Sequence, residues 1–146
     1  MAIWSRDYSL EELNEMTRGN MVGHLGIEFI EIGPEVLRAR MPVDERTRQP
    51  AGLLHGGASV ALAETLGSFA ANLVRNLDGS MGTCVGLEIN ANHLRGVRAG
   101  WVFGEARPLH LGRSTQVWEI RISDERERLV CVSRLTMAVM AKGEGG

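Results

Sequence analysis

The sequence predicts an α+β domain in which one long, buried helix is covered by a β-sheet. Three observations point there: alternating apolar and polar residues between Gly26 and Val43, a helical stretch from Ala58 to Leu77 that is apolar or small all round its wheel, and four later stretches of strand character. A helix and a sheet of this kind can each hide an apolar face only against the other, so the sheet must wrap the helix. The 146 residues, 44% hydrophobic and 23% charged, fit a single domain over 1–146 with a substantial core.

The elements follow in order. Ser9-Leu10-Glu11-Glu12 has the spacing of a capping box, in which Ser9 and Glu12 satisfy each other's backbone donors, and Leu10, Leu13 and Met16 repeat at helical intervals. Ile27, Phe29 and Glu31 face one way before Gly33-Pro34 turns the chain. Leu37, Ala39, Met41 and Val43 then oppose Arg38 and Arg40, which makes a hairpin with one wet face. Residues 44 to 55 are polar and carry Pro50 and Gly52, so they read as a loop leading into the long helix. Only Gly67 interrupts good helix formers there, and Asp78-Gly79 offers a left-handed glycine as the stop. Strands are expected at about 82 to 94, 99 to 108, 114 to 123 and 128 to 141, and Lys142 to Gly146 should fray.

Composition removes several function classes. A net charge of −2 with scattered cations gives no field for a phosphate backbone, so nucleic acid is not an expected partner. The N-terminus reaches charge at once and no apolar run approaches the roughly 18 residues that span a bilayer, which predicts a cytoplasmic protein without a membrane partner. Cys84 and Cys131 lack ligand spacing and sit in apolar stretches, so they read as reduced core thiols, with no metal site.

Glu64 is the residue out of place. Its helical neighbours Val60, Ala61, Gly67 and Ser68 are apolar or small, and the first following cation is Arg75. A buried carboxylate without a cationic partner titrates high and suits work as a base or nucleophile near neutral pH. The competing reading is a glutamate at a solvated gap in the helix. Just ahead, His55-Gly56-Gly57 places free N–H groups and the positive end of a helix dipole where glycine lets an acyl carbonyl approach. Gly56 and Glu64 are eight residues apart, about 12 Å along one helix at ~1.5 Å per residue, too far to grip one carbonyl together. Two antiparallel copies of the helix about a two-fold axis would bring them together, so the site predicts an obligate dimer. Ser68, one turn beyond Glu64, could hold a water, and Gln49 could donate to a carbonyl.

The run Gln49-Pro50-Ala51-Gly52-Leu53-Leu54-His55-Gly56-Gly57-Ala58-Ser59, followed by Ala63-Glu64-Thr65-Leu66-Gly67-Ser68, resembles the hotdog-fold acyl-CoA thioesterases of the phenylacetate-pathway type. Within them it is similar to the branch of 1,4-dihydroxy-2-naphthoyl-CoA thioesterases and the proofreading thioesterases of enterobactin biosynthesis. The likeness extends to Trp4, Met41-Pro42-Val43-Asp44, Gly86-Leu87-Glu88-Ile89-Asn90-Ala91 and Pro108-Leu109-His110-Leu111-Gly112-Arg113.

The resemblance implies a hotdog fold, a six-stranded antiparallel sheet wrapped around one central helix, in homodimers joined edge to edge and doubled into tetramers. It implies hydrolysis of an acyl-CoA with an aromatic or medium acyl group, with CoA as leaving group and no cofactor. Glu64 would be the catalytic carboxylate and the Gly56 N–H the main oxyanion donor. His55 and Gln49 would orient the thioester, and Ser68 would assist the water. His93, Arg95, Gly112, Arg113 and Ser114 match positions expected near pantetheine and phosphates. Two positions depart from the family pattern: Gly96 where proline is common, and Ala51 where close relatives carry a larger aromatic beside the acyl site. A non-hydrolytic acyl-CoA binding module is the alternative. An enoyl-CoA hydratase of the same fold fits less well, because His55 has no carboxylate companion on the helix approach.

Overall fold

The computed structural model describes residues 1–76 and 79–142. Helix α1 (Leu10–Glu15) and a short α2 (Met21–His24) precede the hairpin of β1 (Glu28–Ile32) and β2 (Leu37–Val43). Then come α3 (Gly56–Arg75), β3 (Thr83–His93), β4 (Gly100–Leu111), β5 (Thr115–Ser123) and β6 (Leu129–Met140). The strands form one sheet in the order β1-β2-β4-β5-β6-β3, with every pairing antiparallel. Helix α3 crosses the sheet's inner face between β2 and β3, and β3 lies at the far edge, where among the described residues β6 is its one strand neighbour.

The core is this contact. Leu62, Leu66 and Leu73 of α3 are fully buried against a sheet face that includes Met41, Val102, Trp118, Ile120, Leu135 and Met137. Burial of each such side chain stabilises by about 1.5–3 kcal/mol. Gly67 is explained by close approach, since a Cβ there would lie 2.4 Å from Leu135 Cδ2. Trp4 stacks on Trp118 with ring centroids 6.3 Å apart, and Ser5 donates both its N–H and its hydroxyl to the Leu73 carbonyl near the helix end. Cys84 and Cys131 are free and buried, and burial pushes both thiols up, as expected of inert core thiols. No helix of the described residues is long and apolar enough to cross a membrane.

Three expectations about local structure need correction, and one element is additional. The capping box is half formed: Ser9 Oγ accepts from the Glu12 N–H at 3.1 Å, but the Glu12 carboxylate is held by Arg6 instead of reaching back. Helix α3 ends at Arg75, two residues short of Leu77, and Asn76, with φ 92°, takes the positive-φ conformation expected of a glycine. Asp78 and Leu77 lie outside the described residues, as do 143 to 146. Strand β4 runs on through Leu109 to Leu111, accommodated by a bulge against β5 between Pro108 and His110, where the sequence suggested a turn. Helix α2, capped by the Asn20 side chain, was not anticipated, because a four-residue helix carries no periodicity to detect.

Candidate active site

The loop before α3 is pinned at several points. Thr47, buried, donates its hydroxyl to the Pro42 carbonyl at 2.7 Å and accepts the His55 N–H on its own carbonyl. Leu54 N–H donates to Val97, and Gln49 N–H closes a turn onto Leu53 with Gly52 at φ 86°. These bonds deliver His55 as the N-cap of α3, with φ −66° and ψ 131°. Its Nδ1 accepts from the Gly57 N–H at 2.7 Å, which places the ring proton on Nε2. Its carbonyl accepts from Ala58 at 2.9 Å and from Ser59 at 3.2 Å. Of the first four amides of α3, the Gly56 N–H alone has no partner among the described residues.

That amide borders a cleft of about 430 Å³ that brings together Gln49, Gly56, His93 and Arg95. Strand β3 carries His93 at its end, and the imidazole lies so close over the helix start that a Cβ on Gly56 would stand 3.0 Å from Nε2. Gln49 Oε1 accepts the Ala51 N–H, and its NH₂ has no acceptor among the described residues, which leaves it as a donor for the cleft. Ala51 itself is exposed on the same turn.

Glu64 does not line this cleft. It sits two turns further along α3, half-buried, with its carboxylate against Gly86 of β3: a Cβ there would be 3.1 Å from Oε1. The β3–β6 ladder bulges between Gly86 and Glu88 at this point. Glu64 Oε2 is buried and has no hydrogen-bond partner among the described residues, and burial pushes the carboxyl above its ordinary 4.5. Ser68, one turn on, borders a separate cavity of about 190 Å³ with Met16, Phe69, Asn72 and Thr83. Asn72 fixes that wall by donating to the Ser68 and Cys84 carbonyls and accepting from the Cys84 N–H and the Thr83 hydroxyl.

Gly112, Arg113 and Ser114 form the β4–β5 turn, at the opposite end of the sheet from His93 and Arg95. The Ser114 carbonyl accepts the Val139 N–H, and Val139 pairs with Cys84, nine residues before His93 on β3. At about 3.4 Å per residue that is roughly 30 Å. One chain therefore gathers Gln49, Gly56, His93 and Arg95, and leaves Glu64 with Ser68, and the 112–114 turn, elsewhere. The sequence reading missed Gly86 as a site residue, although a glycine inside a strand marks close approach by another group. Among the described residues no cluster of three or more His, Cys, Asp or Glu could hold a metal ion.

Residues 51–131 match the family model of the thioesterase superfamily. The 1,4-dihydroxy-2-naphthoyl-CoA hydrolase of Escherichia coli is 56% identical over 138 residues, which cover 94% of this chain and 99% of that protein. The chain belongs to the thioesterase superfamily. This thioesterase is also 56% identical to the proofreading thioesterase EntH of Cronobacter turicensis, over 94% of the chain and 98% of the relative. A thioesterase from Haemophilus influenzae superposes with a TM-score of 0.92 at 51% identity, covering 97% of both chains. A Pseudomonas aeruginosa thioesterase, solved as a mutant with alanine in place of a glutamine, gives the same score and identity over 96% of this chain and 99% of its own. The six-stranded sheet around α3 is thus the hotdog fold implied by the resemblance, and the protein is a thioester hydrolase.

Proposed function

We propose that the protein hydrolyses an acyl-CoA thioester with an aromatic or medium acyl group, in sites that two subunits share. One observation carries this reading: α3 holds two unpartnered polar groups, the Gly56 N–H at its start and Glu64 Oε2 about 12 Å along it. A free amide beside a donor amide from Gln49 suits a developing oxyanion, and a desolvated carboxylate suits attack on the carbonyl carbon or activation of water. Neither group is useful to the other within one chain.

The edge strand supplies a way to unite them. Beyond β3 the sheet is open, and Val85 and Leu87, exposed at 44% and 61%, flank the glycine that Glu64 faces. An unpaired, partly apolar edge is a template for a second copy. Two β3 strands paired antiparallel about a two-fold axis would set the His93 end of one beside the Cys84 end of the other. The same operation brings Glu64 of one subunit toward Gly56 of its mate, and the 112–114 turn toward the mate's His93 and Arg95. The family resemblance extends this dimer to a dimer of dimers.

In such a site the thioester oxygen receives the Gly56 N–H and the Gln49 NH₂, while Glu64 of the other subunit drives addition at the carbonyl carbon. The C–S bond breaks, the acid takes oxygen from water, and CoA leaves as its thiol. Ser68, next to Glu64, holds the water, and the His93 ring with the cations Arg95 and Arg113 faces the phosphate-bearing end of CoA. The aromatic preference draws on the naphthoyl substrate that names the Escherichia coli relative, and on the Met16 and Phe69 lining of the cavity one turn past Glu64.

The test is thiol release from a panel of aromatic, short and medium acyl-CoAs by wild type and Glu64→Ala. Fast, Glu64-dependent release with an aromatic preference is expected. Tight acyl-CoA binding without release from any member would establish a binding module instead.

A further inference from the structure

Asn72 takes no part in the chemistry proposed above, yet it stands on the same stripe of α3 as the groups that do. Glu64, Ser68 and Asn72 recur at intervals of four, so they share one face of the helix, and all three are half-buried. Asn72 lies about 12 Å along the axis from Glu64, so any effect on that carboxylate must be transmitted through the structure.

A side-chain amide offers two donors and two acceptor positions, and Asn72 uses all of them. Its NH₂ donates to the Ser68 carbonyl at 2.9 Å and to the Cys84 carbonyl at 3.1 Å. Its Oδ1 accepts the Cys84 N–H at 2.9 Å and the Thr83 hydroxyl at 3.2 Å. All but the Ser68 bond cross from α3 to the edge strand β3. At Cys84 both backbone groups turn to Asn72, which does for one residue what a neighbouring strand would do. The Cys84 thiol adds a long contact of 3.6 Å to the Ala71 carbonyl. The tie falls two residues from Gly86, about 7 Å along the strand.

Glu64 depends on where that strand lies. Its Oε2 has no hydrogen-bond partner among the described residues, and its Oε1 rests against the bare backbone of Gly86, where a Cβ would stand at 3.1 Å. A carboxylate seated by contact follows the backbone it rests on. The β3–β6 ladder constrains that backbone least just there, because it bulges between Gly86 and Glu88.

We propose that Asn72 is a positioning residue for the hydrolysis: by tying β3 to α3 at Cys84 it sets the gap between Gly86 and the Glu64 carboxylate, and so the aim of Glu64 at the thioester carbonyl. The proposal rests on Glu64 as the reacting carboxylate. Asn72 also borders the cavity beside Ser68, so the test must separate the tie from a lining role.

The experiment measures kcat and KM for wild type, Asn72→Ala, Glu64→Gln and the double variant Glu64→Gln/Asn72→Ala on benzoyl-CoA and hexanoyl-CoA. Asn72→Ala should lower kcat about tenfold or more on both substrates with KM changed less than about twofold, since misplacing a reacting group by about 1 Å can cost about 10². On the Glu64→Gln background the same change should cost less than about twofold, because the group that Asn72 positions is gone. A residue that only supports the fold would lower both backgrounds by the same factor, and that result would overturn the proposal. So would a loss confined to one acyl group, or a rise in KM at constant kcat, either of which would make Asn72 part of the pocket wall. Asn72→Asp covers the case in which the alanine variant does not fold. It keeps the size of the wall and reverses one bond, setting an oxygen against the Cys84 carbonyl. At about 0.5 M salt, which screens the added charge, it should lower kcat by about threefold or more, and only where Glu64 is present. Unchanged kcat, or an equal loss on the Glu64→Gln background, would reject the tie. Thiol release by Glu64→Gln at the wild-type rate would reject the carboxylate's role separately.

Discussion

Gly56→Pro removes one atom group and little else. Gly56 is the first residue of α3, the helical position that tolerates proline best because its N–H has no helical partner. The residue before a proline must be extended, and His55 already is, at φ −66° and ψ 131°. The added Cβ would meet the His93 ring at 3.0 Å, and that ring is the exposed end of a movable side chain. The substitution therefore deletes the one unpaired amide of the helix start at small cost to the fold. Loss of an oxyanion donor typically costs about 10²–10³ in kcat, or about 2.7–4 kcal/mol. Gly56→Ala is the control, since it brings the same contact with His93 and keeps the N–H. Steady-state thiol release should show Gly56→Ala within about tenfold of wild type and Gly56→Pro lower by a further factor of about 10². Thermal melts of the two variants should agree within a few degrees. Equal kcat values for the proline and alanine variants would refute the role of the amide.

Other expectations follow from the same geometry. Glu64→Gln should lower kcat by about 10²–10⁴. Because burial raises the Glu64 carboxyl, wild-type activity should fall with decreasing pH along a limb displaced above the ordinary glutamate value of 4.5, and residual activity of the glutamine variant should lack that limb. The linked stability has a definite sign: a carboxyl raised in the folded state stabilises the protein below its unfolded pKa, and that stabilisation is lost as pH rises through the folded value. The Tm of Glu64→Gln minus that of wild type should therefore be larger at pH 8 than at pH 4, and a difference independent of pH would contradict the desolvation of Glu64. Gly86→Ala puts a methyl carbon 3.1 Å from Glu64 Oε1, which should displace the carboxylate and lower kcat by about tenfold or more with KM little changed. A rise in KM alone would mean that residue 86 contacts substrate and does not position Glu64.

Much of the fold was legible because its signals are local. The alternation of Leu37, Ala39, Met41 and Val43, the turn at Gly33-Pro34 and the all-round apolar wheel of α3 each specify an element without reference to the rest. The failures lie where a distant group decides. Arg6 takes the Glu12 carboxylate that the capping box would have used, and hydrogen bonds to β5 carry β4 past Pro108 to Leu111. At the site, Glu64 stood out as a carboxylate among small residues, and Gly56 as a glycine at a helix start. That Gly56 keeps the one free amide of the helix start among the described residues depends on the His55 ring turning to cap Gly57, which spacing does not encode. Gly86 became visible only when β3 was laid against α3, since the two are joined through tertiary contact.

The claim that each site draws on two subunits is tested most directly by mixing. Glu64→Gln and Gly56→Pro proteins, each nearly inactive, are combined in equal amounts under conditions where native mass spectrometry records subunit exchange. If Gly56 and Glu64 act from different chains, half of the exchanged dimers are mixed and each holds one intact site of two. Activity should then recover to about a quarter of wild type. Full exchange with no recovery would contradict the shared site and place both groups of each working centre in a single chain.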